Sequence, residues 1–119
     1  MTSLQRWRPL WLTLGWTWAG AIVWLSLTPA PPKVDFAQSD KVGHFIAYGG
    51  LMLWFSLLYL KRASRAAYAT GFIAMGVGLE FVQGWLGYRT CDALDMAANT
   101  LGVLLGLALG LAMPRIMAR

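Results

Sequence analysis

Charge is scarce in this sequence. Of 119 residues only ten are Lys or Arg, five are Asp or Glu and one is His, so charged side chains make up 13% of the chain, against about 25% in soluble domains. A soluble chain of this length keeps much of its surface in water and cannot hide the 58% of residues that are apolar here. Cysteine is nearly absent too. Cys91 stands alone, so an intrachain disulfide is excluded and the redox compartment is not indicated. No internal repeat or low-complexity tract interrupts the chain, and the length suits one compact domain over 1–119. What the sequence does have is long apolar runs, seven Trp and four Tyr, the rings that gather at membrane interfaces. The formal charge of +5 does not indicate nucleic acid as a partner, because the basic residues fall in short clusters between apolar runs rather than in one patch.

The apolar runs cover about 9–27, 42–60, 66–86 and 93–113. Pro29, Pro31 and Pro32 stop the first and Pro114 closes the last. At 1.5 Å per residue each run is roughly 28–32 Å long as a helix, the thickness of a hydrocarbon core. The runs are continuous rather than alternating, which excludes barrel strands, and backbone groups in lipid must pair within their own segment. Arg6 and Arg8 before an apolar stretch also fit a secretory signal. That stretch, however, exceeds the roughly 7–15 residues of an h-region, and prolines occupy the cleavage region, so a retained helix is expected. The expectation is an all-α membrane protein, an up-down-up-down bundle of four transmembrane helices. Arg6, Arg8, Lys61, Arg62, Arg65, Arg115 and Arg119 lie at the two termini and the 60s turn, against Lys33, Lys41 and Arg89 in the other connections. Seven against three places both termini on the cytoplasmic side.

With that orientation, all the acids and the only His collect at the outer end. Lys41, His44 and Tyr48 follow i, i+3, i+7 spacing and share a face, with Asp40 just before them. Glu80 and Gln83 end the third run, Arg89 lies in the connection, and Asp92, Asp95 and Asn99 open the fourth. Their face continues into Gly102, Gly106 and Gly110, a ridge that lets another backbone come close in lipid. If the ridge packs inward, Asp95 and Asn99 turn inward with it. Gly71, Ala74 and Gly78 form part of a similar pattern on the third run.

Plainer roles compete. Asp40, and Asp92 or Thr90, suit helix N-caps. Lys41 can snorkel to headgroups, Arg89 can pair with lipid phosphate or a nearby Asp, and Cys91 reads as a small filler. His44, Glu80, Asp95 and Asn99 are harder to assign that way, because polar residues inside a membrane helix usually face the bundle interior or a wet cavity and mark function. His44, Glu80 and Asp95 have the chemistry of general acids and bases or of metal ligands, and Lys41 and Arg89 that of phosphate holders. H-E-x-x-H, G-x-S-x-G and paired CxxC motifs are all missing. Neither a cofactor nor a metal site can be assigned.

The stretch Asp40-Lys41-Val42-Gly43-His44-Phe45-Ile46-Ala47-Tyr48 resembles the D-K-x-x-H-F-x-x-Y motif of VanZ-like membrane proteins. It is followed in order by Glu80-Phe81-Val82-Gln83, by Arg89, and by Asp92 through Asn99-Thr100-Leu101-Gly102, similar to that family's E-x-x-Q pair, Arg, Asp-rich helix start and N-T-x-G element. The resemblance runs from about Asp40 to Gly106. It implies a bacterial inner-membrane protein with these residues at its working site and a role at the cell envelope, in a family labelled after a member associated with low-level teicoplanin resistance. Three functions are expected, in order. The first is a pocket binding an envelope lipid headgroup, glycan or lipid-linked precursor, with a role in the envelope or in antibiotic tolerance. The second is an enzyme acting on a phosphorylated or glycosidic lipid through His44, Glu80 and Asp95. The third is a proton or solute transporter. Membrane lipids are the expected partners, and the glycine ridge leaves homo-oligomerisation open.

Overall fold

The computed structural model describes residues 6–28, 39–87 and 93–113, with residues 39 and 40 described by backbone only. Within them are four helices and no strand: α1 Arg8–Leu27, α2 Ser39–Leu58, α3 Arg62–Leu86 and α4 Ala93–Ala112. The expected spans recur with shifts at polar ends. α2 begins three residues early because Ser39, Asp40 and Lys41 are helical without being apolar, and α3 takes in Arg62 and Arg65. Pro9 occupies the first turn of α1, where its missing N–H has no helical partner to lose. α3 ends on Gly87 at φ 87°, a left-handed cap that glycine adopts without a Cβ penalty.

Arg8–Leu27, Lys41–Leu58 and Ala93–Ala112 are each long and apolar enough to cross a membrane. α3 is longer, at 25 residues, but its basic start and its Glu80 and Gln83 dilute its apolar character. The sidedness of α4 is the reverse of a water-soluble helix. Its buried face is Asp95, Asn99, Gly102, Val103, Gly106 and Gly110, while Leu101, Leu104, Leu105, Leu109 and Leu111 face outward. In water such a leucine face would be a large unpaired apolar patch. Against lipid tails it is the ordinary arrangement.

The glycine ridge packs within the bundle, against α2. A Cβ on Gly102 would run into the Phe45 carbonyl, one on Gly106 into the Gly49 carbonyl, and one on Gly110 into Ser56. Residue order rises together on both helices, so this pair is parallel and in backbone contact. The part-pattern on α3 behaves otherwise. Gly71 and Gly78 have nothing within 4 Å of a built Cβ, and it is Gly76 that lies against Asn99.

α1 lies antiparallel along α2. The Trp18 indole N–H donates to the Ala47 carbonyl at 3.0 Å and that of Trp54 to the Trp11 carbonyl at 2.7 Å. These indoles tie helices together, a use beyond the interfacial one expected of Trp. Leu51, Met52, Phe55, Phe72 and Val103 form the apolar middle, where Phe55 stacks on Tyr68 with centroids 4.7 Å apart. At the end bearing Arg8 and Arg65, both guanidiniums close the C-terminus of α2. Arg8 Nη1 donates to the Leu58 carbonyl at 2.6 Å, while Arg65 donates through Nε to Tyr59 O at 2.8 Å and through Nη2 to Ser56 O at 2.7 Å. The last carbonyls of a helix have no intrahelical donors, and in an apolar setting arginine supplies them.

Candidate functional site at the polar end of the bundle

The other end joins the C-termini of α1 and α3 to the N-termini of α2 and α4. Spacing on each helix turns its polar residues inward: Lys41, His44 and Tyr48 on α2, Glu80 and Gln83 on α3, and Asp95 and Asn99 on α4. Tyr48, Asn99, Glu80, Gln83 and Asp95 are 1%, 3%, 3%, 4% and 8% exposed, so all five are interior residues and none is a surface charge.

Asp95 is the meeting point. Lys41 Nζ lies 3.4 Å from its Oδ1, and His44 Nδ1 lies 3.7 Å from the same oxygen, a contact that becomes an ion pair when the ring is protonated. Glu80 is near enough to the Tyr48 phenol for its charge to act there, and Glu80 and Lys41 are both further engaged. Asn99 fits against Gly76, where even a methyl group would crowd its side chain.

Gln83 has a specific structural task. Its Nε2 donates to the Ser26 carbonyl at 2.6 Å. Ser26 lies in the last turn of α1, which ends at Leu27, where carbonyls run short of intrahelical donors. α1 therefore takes part in the polar layer through its backbone. No residue-type signal announces a backbone acceptor.

Several atoms here are left over. His44 Nδ1, Tyr48 Oη, Asp95 Oδ1 and Asn99 Oδ1 are buried with no hydrogen-bond partner among the described residues. Natural interiors pair nearly all such groups, so a cluster of four at one end of a bundle marks a place where an outside molecule can bond. No three His, Cys, Asp or Glu side chains among the described residues come together as a metal-binding set. Of the remaining sequence candidates, Asp40 lies in the first turn of α2 with its side chain outside the described residues, and Arg89, Cys91 and Asp92 also lie outside them.

Comparison with known proteins identifies the family. The family described as VanZ/LLP1 matches residues 4–114. An uncharacterized protein of Schizosaccharomyces pombe is 37% identical over 83 residues, which are 67% of this chain and 51% of that protein. The chain thus spans about half the length of that relative. No solved structure matches. A match over nearly the whole length, on a chain with three helices long and apolar enough to cross a membrane, places this membrane protein in the VanZ/LLP1 family.

Proposed function

We propose that the chain crosses the membrane four times, with both termini and the 59–61 turn on the cytoplasmic side. In this reading the polar end is an outward pocket for the polar head of an envelope amphiphile: a lipid headgroup, a glycan or a lipid-linked precursor. The excess of Lys and Arg at the termini and the 60s turn supports the orientation. The three-residue connection between α2 and α3 supports α3 as the fourth span, since it returns alongside α2. A bacterial inner membrane is the proposed location, although a similar chain occurs in a fungus.

The observation that carries the pocket is the cluster of four buried polar atoms around Asp95: Tyr48 Oη and Asn99 Oδ1 have no hydrogen-bond partner among the described residues, and His44 Nδ1 and Asp95 Oδ1 have ion-pair contacts rather than hydrogen bonds. Each such group costs about 1–3 kcal/mol when left unmade, so a bound partner there gains several bonds at once. Their chemistry narrows the partner. Asp95 Oδ1 and Asn99 Oδ1 accept, and the Tyr48 phenol both donates and accepts, so hydroxyl groups of a glycan or glycerol head fit better than a bare anion. The test is mass spectrometry of the lipids and glycolipids that co-purify with wild type, Asp95→Asn and Tyr48→Phe, each verified as folded by circular dichroism. A species retained by wild type and lost from both variants is expected. Identical profiles contradict the pocket.

A second reading rests on the His44–Asp95 contact, which is the arrangement of a general base with its orienting carboxylate. Glu80 then serves as the second carboxyl of an enzyme acting on a phosphorylated or glycosidic lipid. It predicts a lipid pool changed by purified wild type and unchanged by His44→Ala. A proton or solute path has less support, because the middle of the bundle is apolar from Leu51 through Phe55, Phe72 and Val103.

A further inference from the structure

The polar layer is not equally enclosed on all sides. Tyr48, Glu80, Gln83 and Asn99 are almost wholly buried. The side chains of Lys41 and His44 are 25% and 26% exposed, and that of Asp95, which they share, is 11% exposed. The layer is therefore reached where α2 meets α4. On the same seam, an open depression of about 380 Å³ is lined by Lys41, Phe45, Leu94, Ala97, Ala98 and Leu101, among others. Its shape follows from side-chain size. Ala97 and Ala98 fall between Leu94 and Leu101, so the leucine surface of α4 drops away for one turn, and Phe45 of α2 forms the opposite wall.

The lining decides what can lie in this groove. Apart from Lys41 every residue of it is apolar, and Lys41 is engaged by Asp95 at 3.4 Å and by a further interaction. The walls thus select hydrocarbon and no charge. Leu94 to Leu101 covers two helical turns, roughly 10 Å of track along the helix. The adjoining layer has the opposite chemistry, with oxygens of Tyr48 and Asn99 that lack a hydrogen-bond partner among the described residues and that suit hydroxyl groups. Lys41 belongs to both, as a wall of the groove and as the contact of Asp95. An apolar lining with a few polar groups at one end is how ligand sites fix the orientation of a bound molecule.

We propose that the α2–α4 groove holds the hydrocarbon tail of the same molecule whose head the polar layer binds, so that the ligand is a tailed, hydroxyl-headed lipid and not a free glycan. This rests on the binding reading of the polar layer and adds a tail site and a route to it. The groove opens onto the outward leucine face of α4, so the molecule arrives sideways from the bilayer. Its tail lies between Phe45 and the Ala97–Leu101 turn, and its head reaches the layer beside the Lys41–Asp95 pair. The tail site asks nothing of the Lys41 ammonium, which stays with Asp95.

The experiment places the full chain in phosphatidylcholine nanodiscs with one of two probes, a monoacylglycerol or an alkyl glucoside, each with a diazirine in its chain. Mass spectrometry then maps the photolabelled residues, and the better-labelling probe tells a glycerol head from a sugar. With at least one probe, label in wild type should concentrate on Phe45 and the Ala97–Leu101 turn. Ala97 is exposed, so Ala97→Leu fills the groove without entering the core; it should lower that label to the level on the outward Leu104 and Leu105. Ala97→Ser, which keeps the groove open, should retain it. Asp95→Asn should lower it too, because the head no longer holds the molecule in place. Label from both probes spread evenly over the groove and the leucine face, or unchanged by Ala97→Leu, overturns the proposal. So does a dimer that Ala97→Leu dissociates, since a second copy would then occupy the groove. If lipids bearing a head co-purify equally with Ala97→Leu and wild type but are lost from Asp95→Asn, the head pocket stands and the tail site is wrong. If instead Asp95→Asn changes neither co-purification nor groove label, the binding reading itself fails.

Discussion

Asp95 is buried beside two nitrogens of α2, and its neighbours differ in what they do. Lys41 balances its charge, His44 adds a second nitrogen 3.7 Å away, and the oxygen of Asn99, one turn further on, has no hydrogen-bond partner among the described residues. Gln83 belongs to a different class. It completes the C-terminus of α1 through Ser26, so its first effect is on packing. Gln83→Leu should lower stability by about 1–3 kcal/mol, the cost of stripping a buried acceptor of its donor, and Gln83→Glu should not restore it, since a carboxylate cannot donate to a carbonyl. Thermal or denaturant unfolding in detergent measures both. A Gln83→Leu protein as stable as wild type but unable to retain a ligand would instead assign Gln83 to binding. At this scale the inward face of the site was legible from spacing, because i, i+3, i+7 positions share a side of any helix. The Gln83–Ser26 bond was not, since a carbonyl is present at every residue.

At the scale of elements, the α2–α4 contact organises the bundle. Gly102, Gly106 and Gly110 let the backbone of α2 approach without side chains between, which is how helices associate in lipid, where the hydrophobic effect gives no drive. The ridge itself could be read from a four-residue repeat. Its partner could not, because close approach is a property of one surface while pairing depends on both. Gly49, which receives the ridge, sits unremarkably in a Gly-Gly pair. The same ambiguity misdirects the reading of α3, where Gly71 and Gly78 look like a packing stripe yet face open space. Paired substitutions separate the two cases. Gly106→Ala should destabilise by roughly 1–3 kcal/mol through overpacking against Gly49. Gly78→Ala should be neutral or stabilising by about 0.5–1 kcal/mol, since alanine loses less entropy than glycine in a helix. Equal effects at the two positions would mean that α2 and α4 do not meet through this ridge.

For the whole molecule, the two ends do different work. One end carries Arg8 and Arg65, read from sequence only as topology signals; each also closes the C-terminus of α2. These roles can be told apart. Arg65→Lys keeps the positive charge, so a C-terminal fluorescent reporter should stay on the same side of the membrane as in wild type. It loses the planar fork that reaches Tyr59 and Ser56 together, so stability should fall by about 1–2 kcal/mol. A reporter that changes sides would mean that the arginine acts through more than its charge. Helix positions were readable because hydropathy and proline stops act along the chain. The shifts at Ser39 and Arg62 arise where polar residues extend a helix past its apolar stretch.

The other end carries the buried carboxylate with its lysine and histidine, and beside it oxygens of Tyr48 and Asn99 that have no hydrogen-bond partner among the described residues. Their state in a membrane is the most direct test of a binding pocket. A high-resolution structure of the full chain in lipid nanodiscs would show what these atoms bond. The pocket predicts non-protein density of an amphiphile head within hydrogen-bond distance of Tyr48 Oη, Asp95 and Asn99. If those atoms instead bond one another or ordered water alone, with no further density, the polar layer is structural and the proposed function is wrong.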